Sequence, residues 1–408
     1  METWKKIRLG SACRTNTDSY SPKEKWDFVN YLDTGNITNN TIDSIQFIDL
    51  TKEKLPSRAR RKVRTDSIVY STVRPNQHHF GIIKSQPENF LVSTGFTVID
   101  VDTNVLNADF LYYLLTQNTL VEALHAIAEQ STSAYPSIKT SDIENLEIEI
   151  PDILTQKKIA NILNSLDGKV TQNNEINKNL EQQAQTIFKS WFVDFEPFGG
   201  VQPSEMQFIP LQELCKVVTK GTTPTTLGKS FTNSGINFIK AESIHDNHSI
   251  DSSKFAFIDE ETNALLKRSI IKANDIVFTI AGTLGRFAMV DNSMLPANTN
   301  QAVAIIRPDE TKVTPAYLYS FFIGNWHNEY YSKRIQQAVQ ANLSLTTIKS
   351  LPIAVLNDTT MSNYDELVSP LFALMKNNEE ENRRLSKLRD TLLPKLMSGE
   401  LDVSDIDF

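Results

Sequence analysis

From about residue 155 to 193, apolar side chains recur at alternating spacings of three and four: Leu163, Leu166, Val170, Leu180, Ala184, Ile187 and Trp191, with Asn173 and Asn177 filling two seam positions between them. A step of 205 residues carries each of these onto a second register: Val368, Leu371, Met375, Asn378, Asn382, Leu385, Arg389, Leu392 and Leu396. The spacing predicts two long helices, each with the narrow seam that pairs helices in coiled coils. The polar interruption falls at the same two positions in both, and asparagine in such a seam gives up stability for a fixed register. Paired antiparallel about a point between the asparagines, Asn173 faces Asn382 and Asn177 faces Asn378. A parallel pairing in matching register also sets amide against amide, so the pattern leaves the direction open. Pro394 is expected to end or kink the second helix, with Ser398 and Gly399 reinforcing the stop.

The doubling extends beyond the helices. Ile7, Leu9 and Cys13 return 202 residues later as Ile209, Leu211 and Cys215, so the cysteines read as small core residues. The strand-like Ser67-Ile68-Val69-Tyr70-Ser71 returns as Asp275-Ile276-Val277-Phe278-Thr279, both rich in β-formers. Asn107 to Tyr112 returns as Thr314 to Tyr319; each copy opens on a helix cap, and Pro315 occupies the first helical position, where its missing N–H costs nothing. Ser141 to Leu146 returns as Thr346 to Leu351, just before an apolar strand-like segment. Between the copies, Glu196-Pro197-Phe198-Gly199-Gly200-Val201-Gln202-Pro203 reads as a linker. The predicted organisation is a globular unit over 1–150, a helical spacer over 151–196, a linker over 197–206, a second globular unit over 207–355, a second spacer over 356–400 and a tail over 401–408.

Composition narrows the class. The 408 residues are 40% hydrophobic and 22% charged, with no apolar run long enough to span a bilayer. Met1-Glu2-Thr3-Trp4-Lys5-Lys6 lacks the apolar core of a signal peptide, so a cytoplasmic protein with no membrane partner is expected. Two cysteines and scattered histidines predict neither disulfides nor a bound metal. The net charge of −8 argues against an indiscriminately basic nucleic-acid binder, but it hides a segregation. Residues 1–90 hold fifteen Lys/Arg against ten Asp/Glu, and residues 91–150 hold one against nine. Within 52–64, Lys52, Lys54, Arg58, Arg60, Arg61, Lys62 and Arg64 face only Glu53, a density that suits phosphate contact and equally suits a solvated loop.

Catalytic patterns are missing. An adenine-N6 methyltransferase needs an Asp/Asn-Pro-Pro-aromatic tetrapeptide, and the chain has no Pro-Pro. Pro308-Asp309 and Glu310-Thr311-Lys312 are contiguous, whereas a metal-dependent nuclease brings such groups together from separate strands. Gly228-Lys229-Ser230 lacks the earlier glycine of a phosphate-binding loop, Thr223 standing in its place. Neither a serine-hydrolase elbow nor a zincin helix occurs. These absences favour binding over catalysis.

Several segments resemble the specificity subunit of type I restriction-modification enzymes, and the resemblance covers nearly the whole chain. Gln156 to Asp167, followed by Asn173-Asn174 and Trp191-Phe192-Val193-Asp194-Phe195, is similar to the central conserved helix of that family. Glu381 to Leu385, Leu388 to Leu396 and Ser398-Gly399-Glu400-Leu401 match its distal counterpart. The resemblance implies an α+β chain of two tandem α/β target-recognition domains, joined by two long antiparallel coiled-coil helices with an internal pseudo-two-fold repeat. Some thirty helical residues at ~1.5 Å each make a rod of roughly 45–50 Å, somewhat more than the ~34 Å of one DNA turn.

By the same resemblance, Gly221-Thr222-Thr223-Pro224, Asn300-Gln301 and Thr72-Val73-Arg74-Pro75 match recurring segments of recognition domains, although the first domain has no clear Gly-x-Thr-Pro. With the basic run, the candidate DNA contacts are Arg58, Arg60, Arg61, Lys62, Arg64, Arg74, Gly221, Thr222, Thr223, Lys229, Lys240, Arg286, Asn300 and Gln301. Thr72 to Pro75 aligns with the unlike Ile280-Ala281-Gly282-Thr283, so the resemblance implies unlike half-sites in a split, asymmetric target. It further implies double-stranded DNA, two methylation subunits and two motor-nuclease subunits as partners. S-adenosylmethionine, ATP and magnesium would sit on those partners and no cofactor on this non-catalytic chain. The competing readings are a specificity subunit of a related type II or other methylation-guided defence system, and a coiled-coil adaptor that does not bind DNA.

Overall fold

The computed structural model describes residues 4–131, 135–326, 330 and 342–406. Met1, Glu2 and Thr3, read above for a leader, and the tail residues Asp407 and Phe408 lie outside them. The chain divides into two compact units, residues 1–171 with 382–408, and residues 172–381. Each unit is α+β and takes a part of both long helices.

In the first unit a central antiparallel sheet runs in the order Cys13–Thr15, Phe96–Val101, Ser67–Ser71 and Phe80–Ile83. Its middle strand shows why it lies where it does. Successive side chains of a strand point to opposite faces, yet Ile68, Val69 and Tyr70 are all buried. Ile68 and Tyr70 join the core under the helices Ala108–Leu115 and Asn118–Glu129, whereas Val69 joins a second core with Phe96, Val98, Leu32 and Val92. The second core is closed by another sheet, ordered Gln46–Asp49, Phe28–Leu32, Phe90–Ser93 and Ala59–Arg61, in which Phe28–Leu32 and Phe90–Ser93 are parallel. Ala59–Arg61, from the basic run, forms an edge strand of that sheet.

The second unit has its own central sheet, ordered Cys215–Lys220, Val303–Pro308, Ile276–Thr279 and Phe287–Met289. Ile276 and Phe278 face the helix-side core and Val277 the opposite one. A smaller sheet runs Ala256–Ile258, Ile236–Ile239 and Ala297–Thr299, with the last two strands parallel. Each unit also has a two-stranded ladder, in which Ile7 pairs with Ile148 in the first unit and Ile209 with Ile353 in the second. The expected caps are made: Asn107 Oδ1 accepts from Phe110 N (2.9 Å) and Thr314 Oγ1 from Tyr317 N (3.1 Å). Cys13 and Cys215 pack, partly buried, against the two helix-side cores, and burial pushes their thiols up to about 11 and about 12.

The long helices are Ile153–Phe192 and Asp358–Met397. Asp152 Oδ1 accepts from Leu154 N (2.8 Å) at the start of the first, and Asn357 Oδ1 from Thr360 N (2.9 Å) at the start of the second. Within each unit their parts run in opposite directions. In the second unit Asn378 Nδ2 donates to Asn177 Oδ1 (2.8 Å), and Asn177 Nδ2 donates to the Met375 carbonyl (3.2 Å). Asn173 Nδ2 donates to Glu381 Oε2 (2.7 Å), a carboxylate being a stronger acceptor than an amide. In the first unit Arg389 Nη1 donates to Asp167 Oδ1 (2.8 Å), whose other oxygen accepts from the Tyr113 hydroxyl (2.8 Å). Leu163 shares the first unit's core with Leu396 and Leu392, and Val368, Leu371 and Ile187 line the second unit's. Leu180 and Met375 are buried, and Leu166, Val170, Asn382 and Leu385 half-buried.

Pro394 does not end the second helix, which continues to Met397 and stops before Gly399 in the left-handed region (φ 72°). One backbone hydrogen bond is lost at a proline. The last turn holds nonetheless, because Leu396 and Met397 are buried in the first unit's core.

The paired amides make the seam testable. Asn378→Leu leaves the half-buried Asn177 Oδ1 without its donor and is expected to cost about 1 kcal/mol in urea unfolding. Replacing both Asn177 and Asn378 by leucine should recover most of that loss, and simple additivity of the two single losses would show that the amides are not coupled.

Candidate functional site

In both units several of the candidate residues meet where the chain crosses from the second sheet to the central one. That crossing is Thr94–Gly95 in the first unit and Asn300–Gln301 in the second, 206 residues apart. A crossing between two packed layers has to leave the core, so its polar groups stay within reach of a ligand.

At the first crossing Thr94 N donates to the Arg58 carbonyl (2.8 Å) and Arg61 Nη2 reaches the Thr94 carbonyl (3.5 Å). Thr72 donates to the Gly95 carbonyl through its N–H (2.8 Å) and its hydroxyl (2.9 Å). The basic run and the Thr72-to-Pro75 segment, distant in sequence, thus meet at one loop. Arg74, in the left-handed region (φ 47°), lies 5.0 Å over the ring of Tyr135. Burial works against the charge on Asp33, but the Thr34 N–H, the Tyr31 and Ser93 hydroxyls and the Arg58 charge outweigh it and hold this carboxyl below its ordinary range. Arg61 is half-buried, which lowers its pKa, and its Nε has no hydrogen-bond partner. Lys62 is different: it pairs with Glu24 (2.5 Å) and lies over Trp26. Arg60 and Arg64 are exposed.

At the second crossing Gly221 packs against backbone. A Cβ there would lie 1.8 Å from the Thr299 carbonyl oxygen, so only glycine fits without moving the chain. Its N–H points to Val303 O (3.4 Å), Thr223 Oγ1 donates to Gln301 Oε1, and Asn300 Oδ1 accepts from Ala302 N (3.0 Å). The structure therefore joins Gly221, Thr222, Thr223, Asn300 and Gln301 in one place. The remaining candidates are engaged with acids of their own unit. Lys229 pairs with Glu261 (2.7 Å) and Lys240 with Glu242 (3.3 Å). Arg286 binds both oxygens of Asp246 (2.8 and 2.6 Å) and the Ile244 carbonyl.

Two parts of the site escaped the sequence reading. Arg268 is exposed and donates from Nη2 to Thr222 Oγ1 (3.2 Å); it is 46 residues from Thr222, and no local pattern marks it. Thr94–Gly95 carried a signal, since a step of 206 back from Asn300–Gln301 lands on it. Among the described residues no group of three or more His, Cys, Asp or Glu side chains is placed to hold a metal ion, and no helix is long and apolar enough to cross a membrane.

A family model for the type I restriction modification DNA specificity domain matches residues 1–182 and 203–357. The chain is 26% identical to the type I restriction enzyme HindI specificity subunit of Haemophilus influenzae, over 98% of this chain and 100% of that one. It is also 26% identical to the type I restriction enzyme MjaIX specificity subunit of Methanocaldococcus jannaschii, over 98% and 94% of the two chains. A solved structure of the type I restriction-modification system S subunit from M. genitalium shares the fold with a TM-score of 0.56, at 16% identity over 97% of this chain and 96% of that one.

The tight packing of Gly221 generates one expectation. Gly221→Ala should lower the thermal midpoint by several degrees and disturb the second crossing, whereas Gly35→Ala, whose Cβ would meet nothing within 4 Å, should leave stability unchanged. Equal behaviour of the two variants would refute the close approach.

Proposed function

Since the chain belongs to the family of type I restriction-modification DNA specificity proteins, we propose that it reads the two halves of a split, asymmetric DNA target, one with each recognition domain. The observation that carries the reading is the pair of crossings. They occupy equivalent positions in similar frames but present unlike groups: Thr94–Gly95 beside arginines in one, Asn300–Gln301 beside Gly221 to Thr223 in the other. Like frames with unlike readers suit two different half-sites. Gln301, Asn300 and Arg268 are of the types that read base edges in the major groove, amides on adenine and guanidinium on guanine.

Target-recognition domains at 1–150 and 207–355, with helical spacers at 151–196 and 356–400, form the organisation we propose, an internal pseudo-two-fold repeat whose two helices pair as an antiparallel coiled coil. The opposed contacts of Asn177 with Asn378 and of Asp167 with Arg389 support that pairing. Two methylation subunits, which flip adenines out of the duplex, and two motor-nuclease subunits would dock on this frame in the cytoplasm. They would bring S-adenosylmethionine, ATP and magnesium, and this chain would hold no cofactor.

Two measurements test the reading. Exchanging residues 1–150 for the first domain of another family member should change one half of the N6-methyladenine motif in the host genome and leave the other intact. A change in both halves, or no motif attributable to this gene, would sink it, the latter outcome favouring an adaptor. Arg268→Ala and Gln301→Ala should each relax one base position of the second half-site, with a loss of discrimination of about 1–3 kcal/mol.

A further inference from the structure

We propose that the two units hold DNA by different means: the first supplies most of the charge that neutralises the phosphate backbone, and the second grips mainly through uncharged groups. The inference rests on the reading of this chain as a DNA-binding protein and adds a division of labour between its halves.

The observation is the local pairing of cations. In the first unit Arg58, Arg60, Arg61, Arg64 and Arg74 have no carboxylate at ion-pair distance among the described residues; within the basic run Lys62 is paired with Glu24 and Lys52 with Asp49. Arg58 and Arg61 flank the Thr94 crossing, Arg60 lies between them on the edge strand, and the buried Nε of Arg61 is left without a partner. In the second unit Lys229, Lys240 and Arg286 each carry a carboxylate from their own unit; Arg268 and Lys220, beside Thr222 and Gly221, have none at ion-pair distance among the described residues, and neither do the exposed Lys267 and Lys272.

Exposed ion pairs are weak, so Lys229 is free to swing away from Glu261. That does not restore its value to the DNA. A carboxylate fixed beside each ammonium leaves the local charge near zero, and a phosphate approaching the one also approaches the other. Arg286 is further committed, with three of its donors turned to Asp246 and the Ile244 carbonyl. An arginine cluster with no carboxylate at ion-pair distance, by contrast, releases condensed counterions from the duplex, and each phosphate neutralised adds ~0.9 to the slope of log K against log salt. Phosphates carry no sequence information, so this contribution should be equal on target and non-target duplexes.

The experiment uses the full chain assembled with its methylation subunits and measures the Kd for a duplex holding the methylated motif, and for a scrambled duplex, from low to moderate salt. Arg58→Ala/Arg60→Ala/Arg64→Ala should lower the salt slope by about 2–3 and weaken both duplexes by the same factor. Lys229→Ala/Lys240→Ala/Arg286→Ala should change the slope by less than about 1. The lysine triple Arg58→Lys/Arg60→Lys/Arg64→Lys should keep the parental slope, which separates charge from damage to the fold. Equal slope changes from the two alanine triples, or an unchanged slope in the first, overturn the division of labour while leaving DNA reading intact. A parental complex that shows no salt-dependent duplex binding overturns the reading itself.

Discussion

The central sheet of each unit is buried on both faces, and most of the architecture follows from that constraint. A strand whose successive residues are all apolar, such as Ile68-Val69-Tyr70 or Ile276-Val277-Phe278, cannot leave one face to solvent. Helices cover one side and a second sheet covers the other. The chain then has to pass from the second sheet back to the central one, and it can do so only outside both cores. The same requirement that stabilises each unit thereby places a short polar connection at a fixed position on its surface.

The long helices answer a related requirement in a different way. A seam made wholly of leucine would tolerate a slip by one heptad, because every register would bury similar surface. The Asn177–Asn378 pair and the Asp167–Arg389 pair remove that freedom, since a slipped register would leave the buried Asn378 amide and half-buried charges without partners. Arg389, an odd residue in an apolar seam when read from sequence, is explained by Asp167 within the same unit.

Periodicity made the helices, their polar seam positions and the paired caps legible, because each depends on residues a few positions apart. The strands were legible as repeated β-rich segments, but their roles on two-sided sheets were not, since burial on both faces erases the alternation that a one-sided strand displays. Pro394 misled because a local rule was outweighed by the burial of Leu396 and Met397, which no local pattern reports. Part of the basic run turned out to be a sheet edge, and Arg268 was invisible, for the same reason: each is defined by a neighbour brought in by the fold, Phe90–Ser93 for one and Thr222 for the other.

Locating the unlike groups of the two units on a crossing rather than in a core has an energetic consequence. A core substitution changes packed volume and costs stability, whereas a change at Gln301 or Arg268, both exposed, removes few contacts. Such positions are free to vary without unfolding the frame beneath them. Gly221 marks where that freedom stops. It belongs to the same loop cluster, but its lack of a side chain is what lets the strand end lie against the Thr299 carbonyl. Exposed crossing positions and frame positions therefore alternate within a few residues. What decides between them is the distance to the nearest backbone, not the place in the sequence.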